Sequence, residues 1–415
     1  MAKQWDVCVL GAGVVGVATA YELARAGRSV LVLDRLAGPG LDTSFANGGQ
    51  ASFSHIEPWA SPTAPLQVIK WLAHGDAPLL FRPRFDPWQW LWLGAWLIEC
   101  LPPRARANAL AELALANRSR AAFARLRSEE ILPYHQQMVG LIGVHRSQAE
   151  HDAAAARAEA LRVHGLPIEI LDRAAVLARE PALARIAHEI AGGDFTPQDE
   201  TGDAHLFTKA LATAAEKRGA ELRFGLEAVG FDHDRSARRI DGLRVRDLTS
   251  GEYGRIEAGQ YVLALGSFSA ELARPLGLYL NIYPAKGYSL TLDIANPDGA
   301  PRVSVTDETE KVVFTRLGNR LRVAGTAELS GYSRDINLRR VQAMRDLSRR
   351  FFPSAGDWDA ARPWTGLRPA TPSNRPYIGP TRYRNLFLNT GHGTLGFTLA
   401  PGSAELVAAA VLAAG

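Results

Sequence analysis

The apolar positions of this chain change their period several times, and those changes mark its elements. Asp6–Leu10 (DVCVL) is a short run rich in β-branched residues, the pattern of a parallel strand buried on both faces. It runs into glycines at 11, 13 and 16. From Gly16 to Ala26 apolar residues recur at helical spacing until Gly27 stops the helix, and Ser29–Leu33 (SVLVL) restores a strand pattern that ends at Asp34. Strand, glycine turn, helix, strand and acid in this order form a βαβ unit suited to the ADP half of a dinucleotide. Gly11 permits the tight turn, Gly13 lets the backbone approach a pyrophosphate, and Gly16 lets the helix pack close to the strand. The helix N-terminus offers amides and a positive dipole end to the phosphates. Asp34 is placed to bind a ribose hydroxyl pair, which disfavours a phosphorylated ribose.

Beyond this unit lies a polar, glycine-containing loop, Thr43–Ser54, and then a stretch from about Pro65 to His164 that reads as helices broken by Pro102, Pro103 and Pro133, an insertion into the nucleotide fold. A helix over His205–Arg218 ends at Gly219. From Glu221 to Gly266, β-type runs alternate with turns, as in a meander returning to the central sheet. A second β-rich block covers Leu280–Ala327, and a helix follows over Asn337–Phe351. Near the C-terminus the chain reads as strand Leu386–Asn389, a glycine-rich turn and a helix from around Thr398, whose N-terminus would present backbone N–H groups and a positive dipole to whatever sits there. No internal repeat or low-complexity linker separates these blocks, so the domains are expected to be discontinuous.

A chain of 415 residues accommodates two domains, and 47% hydrophobic with 22% charged residues is ordinary for a soluble globular protein. The net charge of +4 comes from scattered arginines without a basic stripe, which argues against a nucleic-acid partner and does not oppose contact with an anionic membrane. Cys8 and Cys100 have neither metal-ligand nor disulfide-framework spacing, so no metal is expected and a reducing, cytoplasmic compartment is the simplest reading. The N-terminal apolar run is consumed by the βαβ unit, and export is not expected. Trp88–Leu101 is too short to span a bilayer; with Trp88, Trp92 and Trp96 on one helix face it reads as a buried or subunit-interface helix, with a tryptophan-rich interfacial membrane helix as the alternative.

Four motifs together resemble the FAD-dependent amine and amino-acid oxidoreductases of the D-amino-acid oxidase superfamily, nearest to the bacterial D-amino-acid dehydrogenase, small-subunit-like group. They are LGAGVVGVATAYELARAGRSVLVLDR; the loop LDTSFANGGQAS followed by PWASP; YPAKGYSLT with GTAE at Gly325–Glu328; and WTGLRPATPSNRPYIGPTRYRNLFLNTGHGTLGFTLAPGSAEL. Their order covers essentially the whole chain. The resemblance implies a mixed α/β fold, with a Rossmann-type, glutathione-reductase-like FAD domain over 1–57, 200–270 and 363–415. A mixed β-sheet substrate domain with inserted helices takes 58–199 and 271–362.

The resemblance also implies site residues. Gly11, Gly13, Val14, Val15, Gly16, Asp34, Arg35, Thr43, Ser44, Asn47, Gly48, Gln50, Val229, Gly266, Gly391, His392, Gly393, Thr394, Leu395 and Gly396 fall on the FAD side, with the last turn and helix facing the flavin edge where reduction leaves negative charge. The flavin is expected to be non-covalent, since neither cysteine falls in the flavin-facing motif. Arg368 in GLRP matches the arginine that binds the substrate carboxylate, a task suited to a planar, permanently charged fork. Tyr288 and His55 are further candidates for the substrate pocket. Related oxidases carry a tyrosine in the strand KVVFTR, where this chain has Phe314, which leaves Arg368 with fewer helpers. The implied reaction is oxidation of a D-amino acid to an imino acid that water hydrolyses, with electrons passed to a quinone or other respiratory acceptor and possible peripheral contact with the membrane or a partner subunit. Glycine or sarcosine-type oxidase and D-proline or D-hydroxyproline dehydrogenase are alternatives. A flavin-binding subunit of an electron-transfer complex is a reading of another class, and an NAD-dependent Rossmann enzyme leaves TGHGTLGFT and GLRP without roles.

Overall fold

The computed structural model describes residues 5–54, 58–72, 78–162 and 165–415. A six-stranded sheet places strands 377–380, 386–390, 258–263, 5–10, 30–34 and 221–224 side by side. All neighbours are parallel except 377–380, which runs antiparallel to 386–390. The period-two alternation explains why the first strands read as unbroken apolar runs. Val7, Val9, Val30 and Val32 face a layer formed by helices Val14–Arg25, Ala204–Lys217 and Gly396–Ala414 and the long helix Pro102–Glu129. Cys8, Leu10, Leu31 and Leu33 face a three-stranded meander, 226–234, 239–247 and 253–256. Both faces of these two central strands are dry, and their interior positions are apolar throughout.

The second sheet has nine strands. Along its path run 362–370, 283–293, 320–329, 312–317, 304–307, 141–145, 192–196 and 169–172, and the short strand 79–81 joins 320–329 in parallel. Helix Leu338–Phe351 closes its core together with Trp358 and Phe352. The two sheets meet where strands 283–293 and 362–370 approach the glycine turns of the six-stranded sheet; Ser267 and Thr43 donate to the Leu367 carbonyl at 3.0 and 2.9 Å.

Two sequence-based expectations change here. The inserted segment is not wholly helical: after helices Ala64–Leu72, Pro87–Glu99 and Pro102–Glu129, residues Leu141–His145 form a fully buried strand between 304–307 and 192–196. Five apolar or aromatic residues with Ala-rich helices on both sides carry too short a periodic signal to distinguish strand from helix. Phe314 also takes a different role. It stacks on Phe351 at 4.9 Å and meets Phe352 at 5.1 Å inside the core, so its neighbour Val313 is the residue on the open side of that strand. A tyrosine-to-phenylalanine comparison at this position therefore carries no information about carboxylate binding.

The tryptophan helix Pro87–Glu99 begins with Asp86, whose side chain accepts from the Trp88 N–H. Trp92 and Trp96 are buried, and Trp92 donates to the Ala370 carbonyl at 2.8 Å, so the stripe faces inward. The opposite face leaves Trp90, Leu91, Leu97 and Ile98 about half exposed. Among the described residues one helix, Gly393–Ala414, is long and apolar enough to cross a membrane; here it packs against helices Val14–Arg25 and Pro102–Glu129 in the Rossmann-like layer.

On the long helix, Glu112 is buried and neither carboxyl oxygen has a hydrogen-bond partner among the described residues. Burial pushes its carboxyl up to about 8, opposed only by Arg375. The folded chain thus keeps a proton that the unfolded chain releases above roughly pH 4.3, and stability from this group falls as pH rises from there through about 8. Glu112→Gln removes this dependence. Urea midpoints should nearly coincide for the two proteins at pH 5 and favour the variant at pH 9; parallel curves at both pH values would show that the carboxyl is solvated.

Candidate active site

One cavity of about 1560 Å³ runs from the first glycine turn to the nine-stranded sheet. Its Rossmann-like end is built by close backbone approach. Gly11 has φ +106°, and a Cβ there would lie 2.6 Å from the Ala264 carbonyl oxygen. At Gly16 a Cβ would lie 1.8 Å from the Gly11 carbonyl oxygen, so only glycine lets the helix sit this close to the strand. Gly13 is different: the nearest atom to its Cβ position is Ser44 Oγ at 3.7 Å, so its open side faces the cavity. Asp34 accepts from the N–H groups of Ala12 at 2.7 Å and Leu36 at 2.9 Å, which fixes the carboxylate at the strand end; burial raises its pKa, against these hydrogen bonds. A pyrophosphate and a diol-bearing ribose fit these donors and this acceptor.

The loop after the second strand is pinned by its own side chains. Ser44 Oγ accepts from Val14 N–H at 3.2 Å, Asn47 Oδ1 accepts from Gly49 N–H at 2.8 Å, and Gln50 donates to Ser304 and Thr306 at 3.0 and 3.1 Å. Arg322 donates to the Asn47 carbonyl at 2.8 Å, and its burial lowers its pKa to about 10. Gly48 packs against the nine-stranded sheet, where a Cβ would meet Val313 at 3.0 Å. Asp199 then gathers the outgoing strand by accepting from Phe53 N–H at 2.8 Å and Ser52 Oγ at 2.9 Å. Arg322 and Asp199 belong to no motif, and their roles depend on contacts across long stretches of sequence.

On the far side, the turn Gly391–Leu395 and the N-terminus of helix Gly396–Ala414 border the cavity, and no side chain caps that helix. Its free amides are available to a negatively polarised group. His392 presents backbone to the cavity while its ring turns into the helix: Nε2 donates to Ser403 Oγ at 3.0 Å, because that hydroxyl itself donates to the Ala400 carbonyl. Burial lowers its pKa to about 3, so near pH 7 the ring is neutral, with its one proton on Nε2. Val229, Gly266 and Arg35 also line the cavity, with Arg35 lying over the Phe268 ring at 4.0 Å. Of the residues assigned to the cofactor side, Gly16 alone is absent from the lining; it acts through Gly11.

Arg368 lines the cavity where it meets the nine-stranded sheet, with no carboxylate paired to it among the described residues. The residue is half-buried, with its open side on the cavity, and desolvation by the surrounding protein lowers its pKa to about 10, which leaves it charged at neutral pH. Two features seat it. Gly287 leaves room for the guanidinium, since a Cβ there would be 2.4 Å from Arg368 Cζ. Thr326 accepts from Nη1 at 2.7 Å through its backbone carbonyl. Thr326 lies at a β-bulge, where Thr326 and Ala327 together face the single residue Gly287, and its φ is +53°. A left-handed β-branched residue is strained by roughly 1–3 kcal/mol, and bulges beside active sites re-aim backbone groups in this way. Both residues sit inside recognisable motifs, KGYSL and GTAE, yet nothing in the sequence shows a threonine taking a glycine-type conformation.

The remaining two candidates fare differently. Tyr288 borders the cavity, but its hydroxyl donates to Glu328 at 2.7 Å in a buried cluster where Lys286 lies 3.4 Å from Glu328, and burial pushes the phenol far up. It cannot act as a base. His55 lies outside the described residues.

The sequence matches the FAD dependent oxidoreductase family over residues 6–410. It is 49% identical over 403 residues to a protein named D-amino acid dehydrogenase from Paramagnetospirillum magneticum, covering 97% of this chain and 94% of that one. A protein of the same name from Dechloromonas aromatica is 49% identical over 402 residues, covering 97% and 96%. Among solved structures, glycine oxidase from Bacillus cereus superposes with a TM-score of 0.75 at 20% identity, covering 99% of this chain and 95% of that one. L-proline dehydrogenase from P. horikoshii also gives 0.75, at 18% identity over 98% and 93%. These superpositions show the fold, in which a Rossmann-like domain adjoins a mixed-sheet substrate domain. With the glycine turn, Asp34 and the uncapped closing helix lining one cavity, the chain belongs to the family of FAD dependent oxidoreductases.

Proposed function

We propose that this enzyme oxidises D-amino acids at the α-carbon. The observation that carries the reading is Arg368, a half-buried, charged guanidinium on the cavity wall with no carboxylate opposite it among the described residues. A desolvated cation of this kind is costly until an anion arrives, and an amino-acid carboxylate meets its fork with charge-assisted hydrogen bonds. The names of the relatives at 49% identity support the same substrate class. Bound FAD supplies the acceptor for the α-hydrogen and its electron pair. The nitrogen loses a proton as the C=N bond forms, and water converts the imino acid to a keto acid and ammonia. Neither His392 nor Tyr288 is free to serve as base, so the substrate reacts as its neutral amine after losing a proton to solvent.

The reading assigns Gly11, Gly13, Asp34, Ser44 and the turn Gly391–Gly396 to FAD and Arg368 to the carboxylate, with the domain boundaries implied by the motifs. Its test is anaerobic bleaching of the flavin band near 450 nm by D- and L-amino acids, glycine, sarcosine and hydroxyproline isomers, followed by admission of air. Bleaching by D-amino acids with slow recovery in air is expected. Bleaching by glycine or sarcosine with rapid recovery would replace the reading by an oxidase, and no bleaching by any of them would end it.

For the acceptor, we propose a quinone reached at the membrane surface. Leu66, Ile69, Phe85, Trp90, Leu91, Leu97, Ile98 and Leu101 are all at least 48% exposed on or beside helices Ala64–Leu72 and Pro87–Glu99. Such a concentration of exposed large apolar residues exceeds what scattered surface positions explain, and Arg104 and Arg106 are exposed on the adjoining helix. Holoenzyme should co-sediment with vesicles containing anionic lipid, and Leu97→Ser with Ile98→Ser should reduce the bound fraction several-fold while flavin content stays unchanged. Equal sedimentation of both proteins would remove this face from the proposal.

A further inference from the structure

We infer that the substrates are D-amino acids with large apolar side chains, held in a chamber beside Arg368; this deepens the proposed function and rests on it. Along strand 362–370, side chains of alternate residues share a face, so Ala370 lies on the side of the sheet that carries Arg368. Ala370 belongs to an apolar cluster with Trp92 and Trp96, and so does Ala285, the residue paired with Arg368 across the sheet. The cavity extends from Arg368 into this cluster, where Ala64, Val68, Leu79, Trp92, Leu93 and Trp96 line it. Among the described residues, the section of wall contributed by 58–105 contains no charged side chain, and its polar members are Ser61, Thr63 and Gln67.

The geometry orders the two ends of the substrate. The carboxylate is fixed by a guanidinium that Gly287 seats and Thr326 tethers. The side chain then enters a region that offers aromatic and aliphatic contact and no counter-charge. Burying an unpaired ammonium or carboxylate there is prohibitive, and each additional buried methylene favours the longer apolar substrate. The charged stretch of the cavity wall, with Glu150, Arg157, Glu308 and Lys311, comes from other strands and helices than this cluster.

The test compares anaerobic flavin reduction by D-phenylalanine, D-leucine and D-methionine with that by D-glutamine, D-lysine and D-glutamate in the wild-type holoenzyme and in Leu93→Trp. The wild type should favour D-methionine over the similarly sized D-glutamine by about tenfold or more in kcat/KM, with D-lysine and D-glutamate lower still. Filling the chamber should lower the ratio of D-phenylalanine to D-alanine kcat/KM by about tenfold, with the flavin band intact. Equal efficiencies for D-methionine and D-glutamine, or an unchanged ratio in Leu93→Trp, would overturn the inference. So would a variant that is reduced normally but reoxidised slowly by a soluble quinone, since the chamber would then serve the acceptor. If no D-amino acid bleaches the wild type, the proposed function itself fails, a result distinct from loss of side-chain preference.

Discussion

A charged guanidinium with no counter-ion among the described residues is costly to desolvate, and the end of the cavity on the nine-stranded sheet is organised around keeping Arg368 in that condition. The surrounding sheet supplies a bare surface at Gly287 and a carbonyl at Thr326, and neither neutralises the charge. A carbonyl orients one Nη donor while leaving others for a ligand; a carboxylate in its place would satisfy the cation and close the site. Placing that carbonyl demands a β-bulge and a left-handed threonine. The strain is local, and strands 283–293, 312–317 and 362–370 in the same sheet bear it.

The cofactor end follows a different rule. There the requirement is proximity of backbone, met by glycines whose replacement would put a Cβ inside a neighbouring carbonyl. The two ends are joined by hydrogen bonds from Thr43 and Ser267 to Leu367, the residue before Arg368. The strand carrying the guanidinium is thereby registered against the loops that border the cofactor space. Under the proposed function, this coupling would give a substrate carboxylate a fixed position relative to the redox centre, the condition for productive orientation.

The cofactor end was legible in sequence because its signals are local: the glycines, the first helix and Asp34 fall within one short stretch, and the closing strand, turn and helix stand together near the C-terminus. The helix and strand boundaries there agree closely with the structure, the closing helix beginning at Gly396 and not around Thr398. The substrate end was less legible. Leu141–His145 is recognisable as a strand only from its two neighbours, which pair Leu141 with Ser304 and Thr196, 163 and 55 positions away. Phe314 and Val313 exchange faces with a one-residue change in parity, which the sequence of a strand buried on both sides does not specify. Tyr288 loses its free hydroxyl to Glu328 through a pairing that no local pattern encodes.

The central claim is that the unpaired charge of Arg368 selects a carboxylate. Its most direct test is to compare anaerobic flavin reduction by D-phenylalanine and by phenethylamine, which lacks the carboxylate, in the wild type and in Arg368→Met. The account predicts a preference of about a hundredfold or more for the amino acid in the wild type and its collapse in the variant, with the flavin still bound. A preference that survives the substitution would mean that another group recognises the carboxylate and would contradict the account.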